Sequence, residues 1–400
     1  MLRVGSDFSG VGAFNQALMR LGIDYQEIFA CDMDKYARQT FIHNYGEPEY
    51  YPTNVYDREI PIESLDIYMT SPPCQAFSLA GKRLGKEDKR GILFFNSHEF
   101  IQKNNPRYFI FENVKGLLSD NGGKTFSEWV NLLGGKSING NPVIFTYDDA
   151  VPYHLYYKVL NAKHHGVPQN RERVFLIGIR DDKDNNFRFP VEEQLIKRLK
   201  DVLEEEVDDK YFLSQKRIDT ITKAERSIGW TDSDKKDTAN CVLAVYSKNP
   251  TDGEYLKIKS ATSKGFEEAT EGDSINFSVP NSETRRGRIG KGVAQTLDTG
   301  CQQGVLHKYK KEIEQSLNQD ICTGIDASYY KGFGVRQGKC RQVVQEQYKI
   351  RRLTPRECFR LMDFPDTFTW TVSDSQAYKQ AGNSIVVGVL AKIINRLLIK

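Results

Sequence analysis

Leu2-Arg3-Val4-Gly5-Ser6-Asp7-Phe8-Ser9-Gly10-Val11-Gly12-Ala13-Phe14 is the stretch that decides the fold. Leu2–Phe8 reads as a strand, and Phe8–Gly12 as a glycine-rich turn. Phe14, Leu18 and Leu21 then recur at helical spacing. Strand, tight turn and amphipathic helix form the opening of a βαβ unit. The same alternation continues outward. Glu27–Asp32, Leu65–Thr70, Tyr108–Glu112 and Arg173–Ile179 are further short β-rich runs, with helical patterns between them. Such alternation implies an α/β domain with a mostly parallel sheet. In such sheets ligands lie beyond the carboxyl ends of the strands. The polar motifs of residues 1–180 all stand at these ends.

Beyond about residue 182 the pattern changes. Residues 182–345 are polar, rich in Lys, Asp, Thr and Gly, and lack steady periodicity. They read as a second, smaller domain between a catalytic domain at 1–181 and a segment at 346–400 that returns to it. Thr354-Pro355-Arg356-Glu357 restarts regular structure, with Thr as N-cap, Pro at the first helical position and Glu at the third. A last helix is expected over Ser384–Leu398. The 400 residues exceed one small domain. No apolar run approaches the roughly 18 residues that span a bilayer, and Met1–Asp7 has no signal-peptide character. No membrane association and a cytoplasmic setting are therefore expected. The net charge of +3 neither requires nor excludes a basic face for nucleic acid. Seven cysteines without CxxC spacing argue against a disulfide framework and against a metal site.

Four motifs carry chemistry. In the first, Gly10 and Gly12 let the backbone approach a ligand. Asp32 ends the next strand 22 residues past Gly10, where an acid can take ribose hydroxyls. Ala13 and Phe14 stand where a dinucleotide fingerprint has its third glycine. That argues against NAD and leaves a nucleoside cofactor without a pyrophosphate, such as S-adenosylmethionine. The second motif is Ser71-Pro72-Pro73-Cys74-Gln75, a loop stiffened by two prolines. A free cysteine is usually a buried small hydrophobe; the rigid turn and its polar followers favour exposure here. Third, Glu112 ends an apolar strand, where a carboxylate has a raised pKa and can hold a proton. A capping role for Glu112-Asn113 is the simpler alternative. Fourth, Gln169-Asn170-Arg171-Glu172-Arg173 places two arginines on one face of a strand start. They suit a carbonyl or phosphate oxygen, or an ordinary ion pair.

Taken in order, DFSGVGAF, CDMDKYA, SPPCQAFS, DKRGILFF, FENVKG, PQNRERVFLIG, RRLTPRECFRLMDFPDTF and QAYKQAGNSIVVGVL closely resemble the motif set of the bacterial and phage DNA cytosine-C5 methyltransferases. The resemblance covers about 1–180 and 350–400. It implies a Rossmann-like methyltransferase sheet that binds S-adenosylmethionine. It also implies a smaller, irregular or β-rich target-recognition domain at 182–345, with double-stranded DNA between the two. Phe8, Gly10, Val11, Gly12, Asp32, Met33, Asn54, Val55, Pro72, Leu93 and Asn383 would line the cofactor. Asp32 would serve the ribose, Met33 would pack on the adenine, and Asn54 would bond the adenine amino group through its amide oxygen. Ala13 and Asn54 depart from the family's usual Gly and Asp.

The resemblance also assigns the chemistry. The Cys74 thiolate adds to C6 of a flipped-out cytosine and makes C5 nucleophilic. Glu112 protonates or strongly bonds N3. Arg173, supported by Arg171, serves O2. Gln75 or Asn113 would hold a water near the departing C5 proton. DNA contacts are expected from Ser78, Lys82, Arg83 and Lys86 in a basic, glycine-rich loop. Others are expected from Arg288, Lys291, Thr296 and Leu297 near the end of the recognition domain. For the second set a solvated basic loop is the alternative. A monomer is expected. A restriction–modification pair with a cognate endonuclease is the commonest setting for the family. An RNA cytosine methyltransferase and a catalytically dead DNA-binding homologue are the competing readings; the intact set of Cys74, Glu112 and Arg173 argues against the second.

Overall fold

The computed structural model describes residues 1–73, 92–180, 186–214, 218, 255–313 and 343–398. Cys74, Gln75, Ser78, Lys82, Arg83 and Lys86 lie outside the described residues. The chain divides into two compact units. The first comprises Met1–Glu204, Val293–Cys301 and Thr354–Lys400, and the second Glu205–Gly292 and Gln302–Leu353.

The first unit is built on a mixed sheet. Its strands are β1 (Leu2–Asp7), β2 (Tyr25–Cys31), β3 (Ile67–Thr70), β4 (Tyr108–Val114), β5 (Ser137–Ile138), β6 (Asn141–Pro142), β7 (Tyr153–Asn161) and β9 (Glu172–Arg180). β8 is the two-residue strand Gln169–Asn170. Among the described residues the sheet order is β2-β1-β3-β4-β9-β7-β5-β6. The half from β2 to β4 is parallel, as the alternation predicts. β9 departs from that pattern and runs antiparallel to both β4 and β7. The cause lies in the connection: only the 3-10 turn Ala162–His165 and β8 separate β7 from β9. That is too short for a crossover to a parallel neighbour.

The helices are α1 (Ala13–Arg20), α2 (Lys35–Tyr45), α3 (Ile92–Asn104), α4 (Lys124–Leu133), α5 (Pro355–Leu361), α6 (Asp374–Asn383) and α7 (Val387–Leu398). Side chains of α3 and α4 join those of the sheet in an aromatic core that includes Phe29, Tyr68, Phe94, Phe100, Phe109, Phe111 and Trp129. Phe94 stacks on Trp129 at 4.1 Å and Tyr68 on Phe100 at 4.1 Å. α1 packs against α7, so the end of the chain completes the layer that its beginning starts. The capping signature at Thr354 is realised: Thr354 Oγ1 accepts from the Glu357 N–H, and the buried Glu357 carboxylate accepts from the N–H groups of Thr354 and Glu204. The final helix begins at Val387, three residues later than the sequence suggests. One stretch among the described residues, Asp374–Leu398, is long and apolar enough to cross a membrane by length and composition. The sequence reading had placed none near that length. It breaks after Asn383, and 67% of its apolar window is buried in the protein.

The second unit carries a hairpin, β10 (Leu256–Lys259) with β11 (Phe266–Ala269). Beside it stands an antiparallel sheet of β12 (Ser274–Asn276), β13 (Ile289–Gly290), β15 (Gln303–Ile313) and β16 (Val343–Arg352), in the order β13-β12-β15-β16. Ile258, Ile275, Phe277, Leu306 and Ile350 form its core.

The unit boundaries differ from those at 182 and 345. Residues 186–204 stay with the first unit, where Leu199 and Val202 are buried and Arg360 donates to the Val202 carbonyl at 3.2 Å. Residues 346–353 stay with the second, because β16 runs unbroken to Arg352. Residues 293–301 return to the first unit through β14 (Ala294–Gln295), which pairs in parallel with β8.

Candidate active site

The glycine turn is built from left-handed backbone. Phe8, Gly10 and Gly12 have φ of 56°, 55° and 83°. A Cβ on Gly12 would stand 2.2 Å from the Tyr45 ring, so both conformation and space demand glycine there. Asp32 holds the turn: its Oδ2 accepts the Gly10 N–H at 2.8 Å and its Oδ1 accepts the Asp34 N–H at 2.8 Å. Burial pushes the Asp32 carboxyl up, while these two N–H groups pull it down. The residue assigned to a ribose therefore first shapes the turn that precedes it. Val11 and Val55 are buried, Met33 is 84% exposed, and Asn383 is exposed at the end of α6. Leu93 packs on the edge of the aromatic core. Asn54 departs from its expected geometry. Its Oδ1 accepts the Tyr56 N–H at 3.1 Å and its Nδ2 donates to Asp57 at 2.9 Å. The amide oxygen meant for the adenine thus closes its own turn, the local habit of Asn.

The carboxyl edge of β4 carries the acid. Glu112 is buried, and its Oε1 lies 3.0 Å from Arg173 Nε on β9. The two are diagonal neighbours across the antiparallel ladder, since Glu112 faces Phe175 and Val114 faces Arg173 in register. Burial raises the Glu112 pKa, with Arg173 and then Arg171 opposing. Glu172 pairs elsewhere, with Lys115 at 3.0 Å. Asn113 donates its amide to the Pro72 carbonyl at 3.3 Å and accepts the Val114 N–H at 2.8 Å. It thereby ties the stem of the Pro-Cys loop to β4, where the sequence reading gave it a water to hold.

The two arginines do not share a role. Arg171 precedes the strand and is buried. Its guanidinium donates to the carbonyls of Leu297 (3.2 Å), Gly382 (3.0 Å) and Ser384 (2.8 Å). It ties together the returning segments 293–301 and 382–384, so the sequence reading of Arg171 as a supporting donor to O2 is corrected: its guanidinium is engaged by backbone carbonyls. Thr296 Oγ1 donates to the Asn170 carbonyl at 2.8 Å, and Leu297 is buried. Both sit against the 169–171 stretch. Gln169, which sequence reasoning left without a role, is fully buried and donates to the Leu361 carbonyl at 2.9 Å.

Arg288 is a second correction. It is 2% exposed within the second unit, and its guanidinium donates to the carbonyls of Asn276, Ser278 and Val279. Those bonds hold a loop together and leave no DNA-facing head. Lys291 is exposed and binds Asp273 at 2.7 Å. A further group that sequence reasoning missed lies under the glycine turn. Asp7 is buried between Arg58 (2.8 Å) and the Tyr68 hydroxyl (2.6 Å). Among the described residues no cluster of His, Cys, Asp and Glu could hold a metal ion.

An apolar-backed glycine turn, a buried acid with an arginine beside it, and a proline loop tied to the acid's strand all meet at the carboxyl edge of one sheet. Residues 2–398 match the family of C-5 cytosine-specific DNA methylases. The chain belongs to this family. Among relatives of the methylase, M.SPRI of Bacillus phage SPR, an orphan methyltransferase, is 31% identical over 99% of this chain and 97% of its own length. The type II methyltransferase M.HpaII of Haemophilus parainfluenzae is 30% identical over 98% of this chain and 88% of its own. Among solved structures, a methyltransferase encoded in an E. coli prophage superposes with a TM-score of 0.56 at 19% identity, covering 99% of this chain and 98% of that one. Dnmt2 of S. pombe does so at 0.54 and 17%, covering 100% and 98%. The methylase is thus a DNA (cytosine-5-)-methyltransferase on the mixed α/β fold that the sequence pattern announces.

Proposed function

We propose that the methylase acts as a monomer on duplex DNA, uses S-adenosylmethionine, and forms a covalent bond between Cys74 and C6 of a flipped-out cytosine. The observation that carries this reading is the buried Glu112–Arg173 pair, 3.0 Å apart, on the strand that Asn113 ties to the stem of the Cys74 loop. The turn at Phe8–Gly12 fits the cofactor. Its left-handed residues bring backbone close to a ligand, and Asp32 fixes its shape. When bound, S-adenosylmethionine supplies an electrophilic methyl group. Cys74 adds to C6 as a thiolate and, once C5 carries the methyl group, is eliminated from C6 as the C5 proton leaves to a water near Gln75 or Asn113. Glu112 holds a proton toward N3, which its raised pKa allows, and Arg173 offers N–H groups to O2. Both act on a base already out of the stack. The second unit, with Lys291, reads the sequence, while Ser78, Lys82, Arg83 and Lys86 hold phosphates; Thr296 and Leu297, held by Asn170 and Arg171, approach the DNA near the flipped base. Relatives named as orphan and as type II methyltransferases leave two settings, and a cognate endonuclease belongs to the second.

The test is methyl transfer with labelled cofactor to matched duplex DNA and tRNA. Wild type labels DNA and Cys74→Ala labels neither. Turnover by Cys74→Ala near the wild-type rate overturns the nucleophile, and label on tRNA alone overturns the substrate.

A further inference from the structure

The mechanism has no use for the charged group buried beneath the glycine turn. Asp7 is the last residue of β1, directly before Phe8. Its side chain is wholly buried, and that of Arg58 is 2% exposed. Asp7 Oδ1 lies 2.8 Å from Arg58 Nε, and Oδ2 accepts the Tyr68 hydroxyl at 2.6 Å. The Arg58 guanidinium lies over Phe100 at 4.6 Å and Phe29 at 5.8 Å. Such a set stabilises little: a buried ion pair is commonly replaced by apolar residues without loss, while removing one partner alone is costly. Its location is informative. Residues 50–58 cross the carboxyl end of β2, where the Ala30 and Asp32 N–H groups donate to the carbonyls of Tyr50 and Pro52. Arg38 also donates to the carbonyls of Tyr51 and Pro52. Asn54 and Asp57 close a turn, Val55 is buried beneath it, and Arg58 then plunges to Asp7. One ion pair therefore ties Phe8 and Gly10 on one side to Asn54 and Val55 on the other. These are the two walls assigned to the cofactor.

We propose that Asp7, Arg58 and Tyr68 are positioning residues that set the spacing of the two walls and hence the affinity for S-adenosylmethionine. The proposal rests on the cofactor reading above. Arg58 fits this task because its planar head can lie on Phe100 while its edge meets Asp7. The retained charge holds one arrangement of the loop, which an apolar contact would leave free to slide.

The experiment compares wild type, Arg58→Lys, and the triple variant Asp7→Leu, Arg58→Met, Tyr68→Phe, which removes the polar set without stranding a charge. Calorimetric titration with S-adenosylmethionine gives Kd, steady-state kinetics give KM and kcat, and thermal unfolding reports integrity. The triple variant should unfold near the wild-type temperature, bind the cofactor about tenfold more weakly, and raise KM with kcat kept within a few-fold. Arg58→Lys should fall between the two. A folded triple variant with wild-type Kd overturns the proposal. If the triple variant does not fold, unchanged Kd in Arg58→Lys overturns it instead. Wild type that binds no S-adenosylmethionine overturns the cofactor reading itself, a result distinct from either.

Discussion

Replacing Glu27 by Gln should remove one sizeable pH-dependent contribution to stability. Glu27 lies on β2 behind the first turn of α1, where its Oε2 accepts the Asn15 amide at 3.1 Å. Burial raises its pKa from 4.5 to about 7, and the Asn15 bond only partly offsets this. The sign follows from linkage. In the unfolded chain the acid loses its proton near its ordinary value; in the folded chain it keeps the proton to higher pH. Its contribution to stability is thus complete below about 4.5 and is lost as pH rises through about 7. At about 1.36 kcal/mol per pH unit the full loss is about 3 kcal/mol. Between about pH 5 and about pH 8 the expected loss is about 2.5 kcal/mol. Glu27→Gln removes this titration, while the swap of carboxyl for amide adds a cost that does not vary with pH. The quantity to measure is the difference in unfolding free energy between variant and wild type, from urea titrations across that range. It should move in favour of the variant by about 2.5 kcal/mol from the acid to the alkaline end. A difference that stays flat would show that Glu27 ionises freely in the folded protein, and the burial argument would fail.

Other expectations follow from the same geometry. Glu112→Gln keeps the shape of the acid and removes its proton; methyl transfer should fall by about 10²–10⁴ with duplex binding retained, as gel shift and initial rates would show. Equal loss of both would indicate a structural role. Gly12→Ala meets both a left-handed φ and the Tyr45 ring, so it should cost about 1–2 kcal/mol in backbone strain alone and weaken cofactor binding; wild-type calorimetry would contradict this. Arg288→Ala strands three carbonyls inside the second unit. It should lower that unit's stability by about 3 kcal/mol, seen in hydrogen exchange, and leave the salt dependence of DNA binding unchanged. A shallower salt slope would return Arg288 to the phosphates.

The sequence was most legible where backbone demands leave a mark. Gly10 and Gly12 mark a tight turn, Thr354-Pro355 marks a helix start, and short β-rich runs mark strands; these appear within two residues of where they were read. The direction of β9 was not legible, because antiparallel pairing follows from the length of a connection whose 3-10 turn has no strong signature. Nor was the fate of the arginines. Arg58 finds Asp7 at a separation of 51 positions, through register and packing, and such a pair carries no period.

Arg171 and Arg173 show why motif spacing underdetermines chemistry. Alternation along a strand puts residues two apart on one face, and with both arginines there the resemblance gave O2 to Arg173 with Arg171 in support. Regular β9, however, begins at Glu172. Arg171 lies before it and escapes the alternation. Its guanidinium then meets three backbone carbonyls from segments more than a hundred residues downstream. Arg173, inside the strand, is held by register toward Glu112. One arginine binds backbone segments together and the other meets the buried acid. Substituting Lys should separate them. A point charge cannot span three carbonyls as a planar fork does, so Arg171→Lys should loosen the 382–384 segment and reduce both affinity and rate. Arg173→Lys keeps its cation beside Glu112 and should reduce the rate alone.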